Sequence, residues 1–151
     1  MLKKLTGTSN SFVFTIMRLA LGVVFFAHGA GKMLGWWGGV GFANTMGYFT
    51  HFMHIPAPFA FLVICAEFFG GLGLLVGFLS RIAAFSLFVD MLVALFLVHI
   101  HYGFFMNWQG TKRGEGFEYH ILALALLFAI LVSGGGALSV DRLISGRSSK
   151  A

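Results

Sequence analysis

Four long stretches of this chain are almost free of charge, and they limit its architecture more than any other feature. They lie at 12–31, 56–79, 82–102 and 117–137, and each is dominated by Leu, Phe, Val, Ala, Ile and Gly. A bilayer core about 30 Å thick needs roughly 20 helical residues to cross it. All four stretches meet that length. Backbone N–H and C=O groups cannot stay unpaired in lipid, so each stretch must be a helix. The alternation expected of a membrane strand is absent. Of the 151 residues, 58% are hydrophobic and 10% charged. That is too little charge to solvate a soluble domain of this size, which carries roughly 25%. The fold class that follows is all-α: a single integral membrane domain over 1–151, built as a four-helix transmembrane bundle.

The joints between the stretches order the helices. Only Ser80 and Arg81 separate the second and third, so these two form an antiparallel hairpin. The first loop, 34–55, is longer and carries Trp36, Trp37 and an aromatic run from Phe42 to His54. It is expected to hold a short helix lying in the interface. The third joint, 103–116, holds Trp108, Lys112 and Arg113, so all three tryptophans sit at segment ends as interfacial anchors. Lys3 and Lys4 precede an apolar run, as in a secretory signal. Arg18 interrupts that run and its length exceeds a signal core, so it reads as a retained span. Lys3, Lys4, Arg81, Arg142, Arg147 and Lys150 gather on one side, and Lys32, Lys112 and Arg113 on the other. The positive-inside rule then predicts both termini in the cytoplasm. The tail 145–151 is expected to be disordered. The scattered basic residues give no nucleic-acid signal, and no phosphate-binding loop or dinucleotide fingerprint is present.

Function must lie with the polar residues inside the apolar stretches, because each is costly there. Arg18 lies about 9 Å and Asp90 about 12 Å from the same membrane face at 1.5 Å per residue, which predicts an interhelical ion pair fixing two helices. Glu67 lies about 16 Å from either end by the same measure, with no basic residue at its depth, so it should be neutral or hydrogen-bonded. At 100° per residue Glu67 shares a stripe with Gly70, Gly71, Leu74 and Gly77, while Cys65 points away. A stripe of small residues lets another helix approach closely. Asp90, Ala94 and His101 share a face, and His99 points elsewhere. Glu118 and His120 are about 200° apart, so only one can face the bundle centre. The set Arg18, His28, Glu67, Asp90, His101 and Glu118 then lines a polar interior opening outward, with His28, Glu67, His101 and Glu118 as the candidate catalytic groups. Histidines and carboxylates together suit proton transfer, a quinone headgroup or a metal ion. No two histidines stand four apart within one span, so no metal site is predicted. His51 and His54 read as interfacial. The single cysteine, Cys65, excludes a dithiol centre within the chain.

The order of these motifs resembles the DoxX family. The likeness rests on Arg18-Leu19-Ala20-Leu21-Gly22, His28-Gly29 and Lys32. It continues through Ile55-Pro56-Ala57-Pro58, Glu67, Gly70-Gly71, Gly77 and Arg81. It ends with Gly116-Phe117-Glu118, Gly134-Gly135-Gly136 and Ser139-Val140-Asp141. The resemblance implies a four-helix inner-membrane protein of bacteria or archaea. It also implies an association with redox enzymes, since the family's namesake is linked to a membrane thiosulfate:quinone oxidoreductase. Among the residues it adds weight to Arg18, His28, Glu67, Arg81 and Glu118.

Three functions follow as expectations. One is a quinone-linked subunit whose electrons come from a redox-enzyme partner, because the chain has no self-sufficient catalytic motif. Another is a carrier or channel for a proton or small solute, with a homo-oligomer supplying further helices. The last is a non-catalytic anchor for a partner complex.

Overall fold

The computed structural model describes residues 5–147. Lys3, Lys4 and Lys150 of the charge count lie outside that range, as does the end of the tail, 148–151. No strand occurs among the described residues. Helix α1 runs Phe12–Leu34, α2 Gly41–Gly47, α3 Ala57–Val76, α4 Ser80–Leu97, α5 Glu118–Ser133 and α6 Val140–Arg147. The four long helices α1, α3, α4 and α5 form the bundle. Helix α2 continues through a widened π turn at Tyr48–Phe52 and is the expected short helix of the first loop.

Each helix end has a physical cause. Ser11 caps α1 by accepting a hydrogen bond from the Val13 amide at 3.2 Å. Gly35, at φ 75°, stops it. Pro56 precedes α3, where its missing N–H costs nothing. The α3–α4 joint falls at 77–79 rather than at Ser80-Arg81. Gly77 turns left-handed at φ 72°. The Asp141 carboxylate, from a distant segment, then accepts from the amides of Leu79 and Ser80, both at 2.8 Å, and so caps α4. Helix α4 ends at Leu97, five residues short of the expected boundary. From there the chain turns so that Gly103 and Phe104 carbonyls can accept from Phe117 and Glu118. Helix α5 ends at Gly134, whose φ of 80° and ψ of −171° only glycine adopts readily.

The Gly134–Gly136 run that follows α5 is held by residues 8–11. The Ser9 amide donates to Ser133 O and the Ala137 amide to Ser11 O. The Gly136 amide donates to Thr8 Oγ1 at 2.7 Å. A Cβ at Gly135 would meet Ser80 Oγ, and one at Gly136 the Thr15 amide at 2.5 Å. The segment is pinned because backbone passes where side chains cannot.

Phe25, Leu74, Leu87, Leu127 and Ile130 form the centre of the bundle, none more than 2% exposed. Lipid is as apolar as leucine, so this packing gains little from transfer and depends on close fit. Glycines supply that fit between α1 and α3. A Cβ on Gly29 would strike the backbone of Glu67 and Phe68, and one on Gly71 the backbone of Phe25 and Phe26. The outward faces carry Ile16, Val23, Phe59, Leu62, Phe85 and Leu122, all exposed, as a lipid-facing surface requires.

Candidate functional site

The polar side chains separate into two groups along the bundle. The first group lies at the end where the stretch before α1 meets the segment after α5. Arg18 is 2% exposed there. Its guanidinium donates to the carbonyls of Leu74 and Leu75 through Nη1, to Gly135 O through Nε at 2.9 Å and to Leu138 O through Nη2 at 2.7 Å. Arg81 reaches Gly7 O and Leu131 O in the same way. The last carbonyls of a helix have no partner within it and carry partial negative charge, so a planar guanidinium suits them well. The expected Arg18–Asp90 ion pair is therefore not formed. The free carbonyls at the end of α3 are nearer to Arg18 than any carboxylate on α4, and the acid in its field is Asp141.

The second group lies in the half of the bundle nearer the long loops. Glu67 is 4% exposed and Asp90 7%. Lys32 Nζ stands 2.5 Å from Glu67 Oε1, which corrects the expectation of an unpaired carboxyl. Among the described residues this is the ion pair the structure forms. Lys32 stands at the outer end of its helix, and its long stem carries the charge away from its own Cα to Glu67. Two backbone features bring the groups together. Gly29 lets α1 touch α3 at Glu67, three residues before Lys32. Helix α3 widens into a π turn at Ala66–Gly70, a local distortion common at functional sites. Asp90 interacts electrostatically with both Glu67 and Lys32, and Glu67 also with Tyr119 on α5. Glu67 Oε2 and Asp90 Oδ2 are buried without a hydrogen-bond partner.

The remaining candidates divide. His101 is exposed in the turn after α4 and does not line the interior. Glu118 also stays outside the centre, because its Oε1 accepts from the Met106 amide at 2.9 Å and Trp108 Nε1 at 3.2 Å, tying down the second loop. The inward place on α5 goes to His120, 4% exposed. Its ring centroid is 4.1 Å from that of His99, whose Nδ1 bonds Glu115 O. His99 was read as pointing away. It turns inward because α4 ends early and the 3-10 turn His99–Tyr102 rotates it.

His28 is exposed and borders a groove of about 480 Å³ beside α1. Lys32, Trp36 and Trp37 line the same groove, together with Gly31, Gly38 and Gly39. Trp37 holds a left-handed backbone at φ 51°, between Gly35 at 75° and Gly38 at 84°. Such a conformation costs a non-glycine residue of order 1 kcal/mol and is concentrated at functional sites. Trp36 and Trp37 meet edge to face at 5.6 Å, and Trp37 meets Phe26 at 6.4 Å. Their spacing alone predicts only interfacial anchors. The clue was the Gly35-Trp36-Trp37-Gly38-Gly39 pattern, which allows a tight aromatic turn. Among the described residues, no three His, Cys, Asp or Glu side chains converge as a metal site.

The model of one membrane-protein family, DoxX, matches residues 13–100, which hold α1, the groove, Glu67 and Asp90. The chain belongs to the DoxX family. It is also similar to the inner membrane protein YqjF of Escherichia coli (strain K12), 30% identical over 130 residues that cover 86% of this chain and 90% of the relative. No solved structure matches it. As a DoxX protein with apolar helices of this length, it is a multi-pass inner-membrane protein in contact with the lipid bilayer.

Proposed function

We propose that this DoxX-family protein is the membrane subunit of a quinone-linked redox system, with the quinone headgroup seated in the groove beside α1. The observation that carries the reading is the groove itself. It joins two aromatic walls, Trp36 and Trp37, to two side chains able to donate hydrogen bonds, His28 and Lys32. Its volume of about 480 Å³ suits a small aromatic ligand. When bound, a quinone accepts two electrons and two protons, the electrons coming from a partner oxidoreductase. His28 and the Lys32 ammonium donate to its carbonyl oxygens. One indole face stacks on its ring, and the exposed position of the groove on α1 leaves room for an isoprenoid tail in the lipid.

A second reading, a proton or small-solute carrier, draws on the unpartnered oxygens of Glu67 and Asp90. The apolar layer of Phe25, Leu74, Leu87 and Leu127 below them weighs against it. We also propose that both termini face the cytoplasm, on the excess of basic residues at that end.

The test is mass spectrometry of a solvent extract from protein purified in mild detergent, beside the double variant His28→Leu/Lys32→Met. One quinone per chain, depleted in the variant, is expected. A quinone absent, or equal in both samples, overturns the reading.

A further inference from the structure

Lys32 belongs to two places at once. It lines the groove, and its ammonium is also the cation paired with the buried Glu67. The charged and titratable groups around Glu67 can be traced on each packed helix. They are Lys32 on α1, Asp90 on α4 and Tyr119 on α5, with Cys65 on its own helix. His120, next to Tyr119, faces His99 instead. One lysine thus serves two buried carboxyls, and each of these has an oxygen with no partner. A buried carboxylate that loses its cation must take up a proton, because ionised carboxylates are far too costly in a dry interior.

We propose that Lys32 links the groove to the carboxyl pair: a ligand that draws the Lys32 ammonium toward its carbonyl oxygen releases Glu67, and the Glu67–Asp90 pair takes up one proton in exchange. The inference rests on the groove reading above and adds its regulation. No bond other than O–H forms. The proton comes from water, and the cluster exchanges one hydrogen-bonded partner of Lys32 for another. Lys32 is suited to move because its side chain is 30% exposed while that of Glu67 is 5%. By linkage the coupling is reciprocal: if binding takes up a proton, affinity rises as pH falls.

The experiment uses the full chain in nanodiscs, carrying Trp108→Phe so that fluorescence reports Trp36 and Trp37. A short-chain benzoquinone, which does not titrate itself, is the probe. Quenching gives its affinity between pH 5.5 and 8.5, and an indicator dye in weakly buffered solution counts protons taken up on binding. The expected result is an affinity that strengthens as pH falls, at up to about tenfold per pH unit for one linked proton, with uptake approaching one proton per bound quinone. Measured in a His28→Gln background, so that the groove's imidazole does not contribute, Glu67→Gln/Asp90→Asn should bind with no pH dependence and no uptake, and at high pH more tightly than the same background with both carboxyls intact, since Lys32 is then free. Binding without proton uptake and at constant affinity with Glu67 and Asp90 intact overturns the linkage and leaves the groove reading standing. This arm asks only that the Trp108→Phe background fold. Absence of binding overturns both.

Discussion

Arg18 is a cation with no carboxylate in hydrogen-bond contact, held by four backbone carbonyls drawn from the end of α3 and the segment after α5. Removing it strands several buried acceptors at once, each costing roughly 1–3 kcal/mol. Arg18→Met should therefore lower stability by at least about 3 kcal/mol, seen as a large drop in the thermal midpoint in detergent. Arg18→Lys should recover little, because an ammonium lacks the planar fork. An equal midpoint for Lys and Arg would show that charge alone is needed. Trp37 makes the opposite case. Its left-handed backbone is a cost that the fold bears in order to place an indole over the groove. Trp37→Gly should change stability by no more than about 1 kcal/mol while sharply weakening quinone retention, so strain and function separate in one variant. These two residues also show what the sequence could tell. The burial of Arg18 followed from its place in a span, but its partners are carbonyls, which no pattern of side chains reveals.

At the scale of elements, the close crossing of α1 and α3 depends on glycines facing backbone. Gly71→Leu should prevent correct assembly, read as loss of the monodisperse peak on size exclusion. Gly47→Ala, where nothing stands within 4 Å of an added Cβ, should be tolerated and even stabilise α2 slightly. The stripe Glu67, Gly70, Gly71, Leu74 and Gly77 was legible from angular spacing alone, and all five residues are buried. The same arithmetic showed that Glu118 and His120 could not both face inward, and the expected set put Glu118 inside where the structure puts His120. The choice was made by the second loop, which occupies Glu118 through Met106 and Trp108. Helical angles describe one helix at a time, so competition from a loop 10 residues away escapes them. The π turn at Ala66–Gly70 and the early end of α4 are likewise tertiary outcomes.

For the molecule as a whole, membrane residence, helix count and loop pattern were legible because lipid leaves the backbone so few options. The polar interior was legible as a set but not as a geometry. Its expected members divide: Arg18 joins a lattice of backbone carbonyls, Glu67 and Asp90 are buried near Lys32, His28 borders the groove, and His101 and Glu118 lie outside the centre. Orientation can be tested directly. In a Cys65→Ser background, Thr111→Cys should react with an impermeant maleimide added to intact cells, and Ser145→Cys only after lysis. The reverse pattern would invert the assigned topology.

One feature of α5 reaches beyond the protein. Its 16 residues span about 24 Å, whereas the 23 residues of α1 span about 35 Å. A tilt of α1 or a local thinning of the bilayer beside α5 takes up that difference. Where thinning takes it up, lipids with short chains fit best beside α5. The thickness of the surrounding membrane thus becomes a variable to which this small bundle responds.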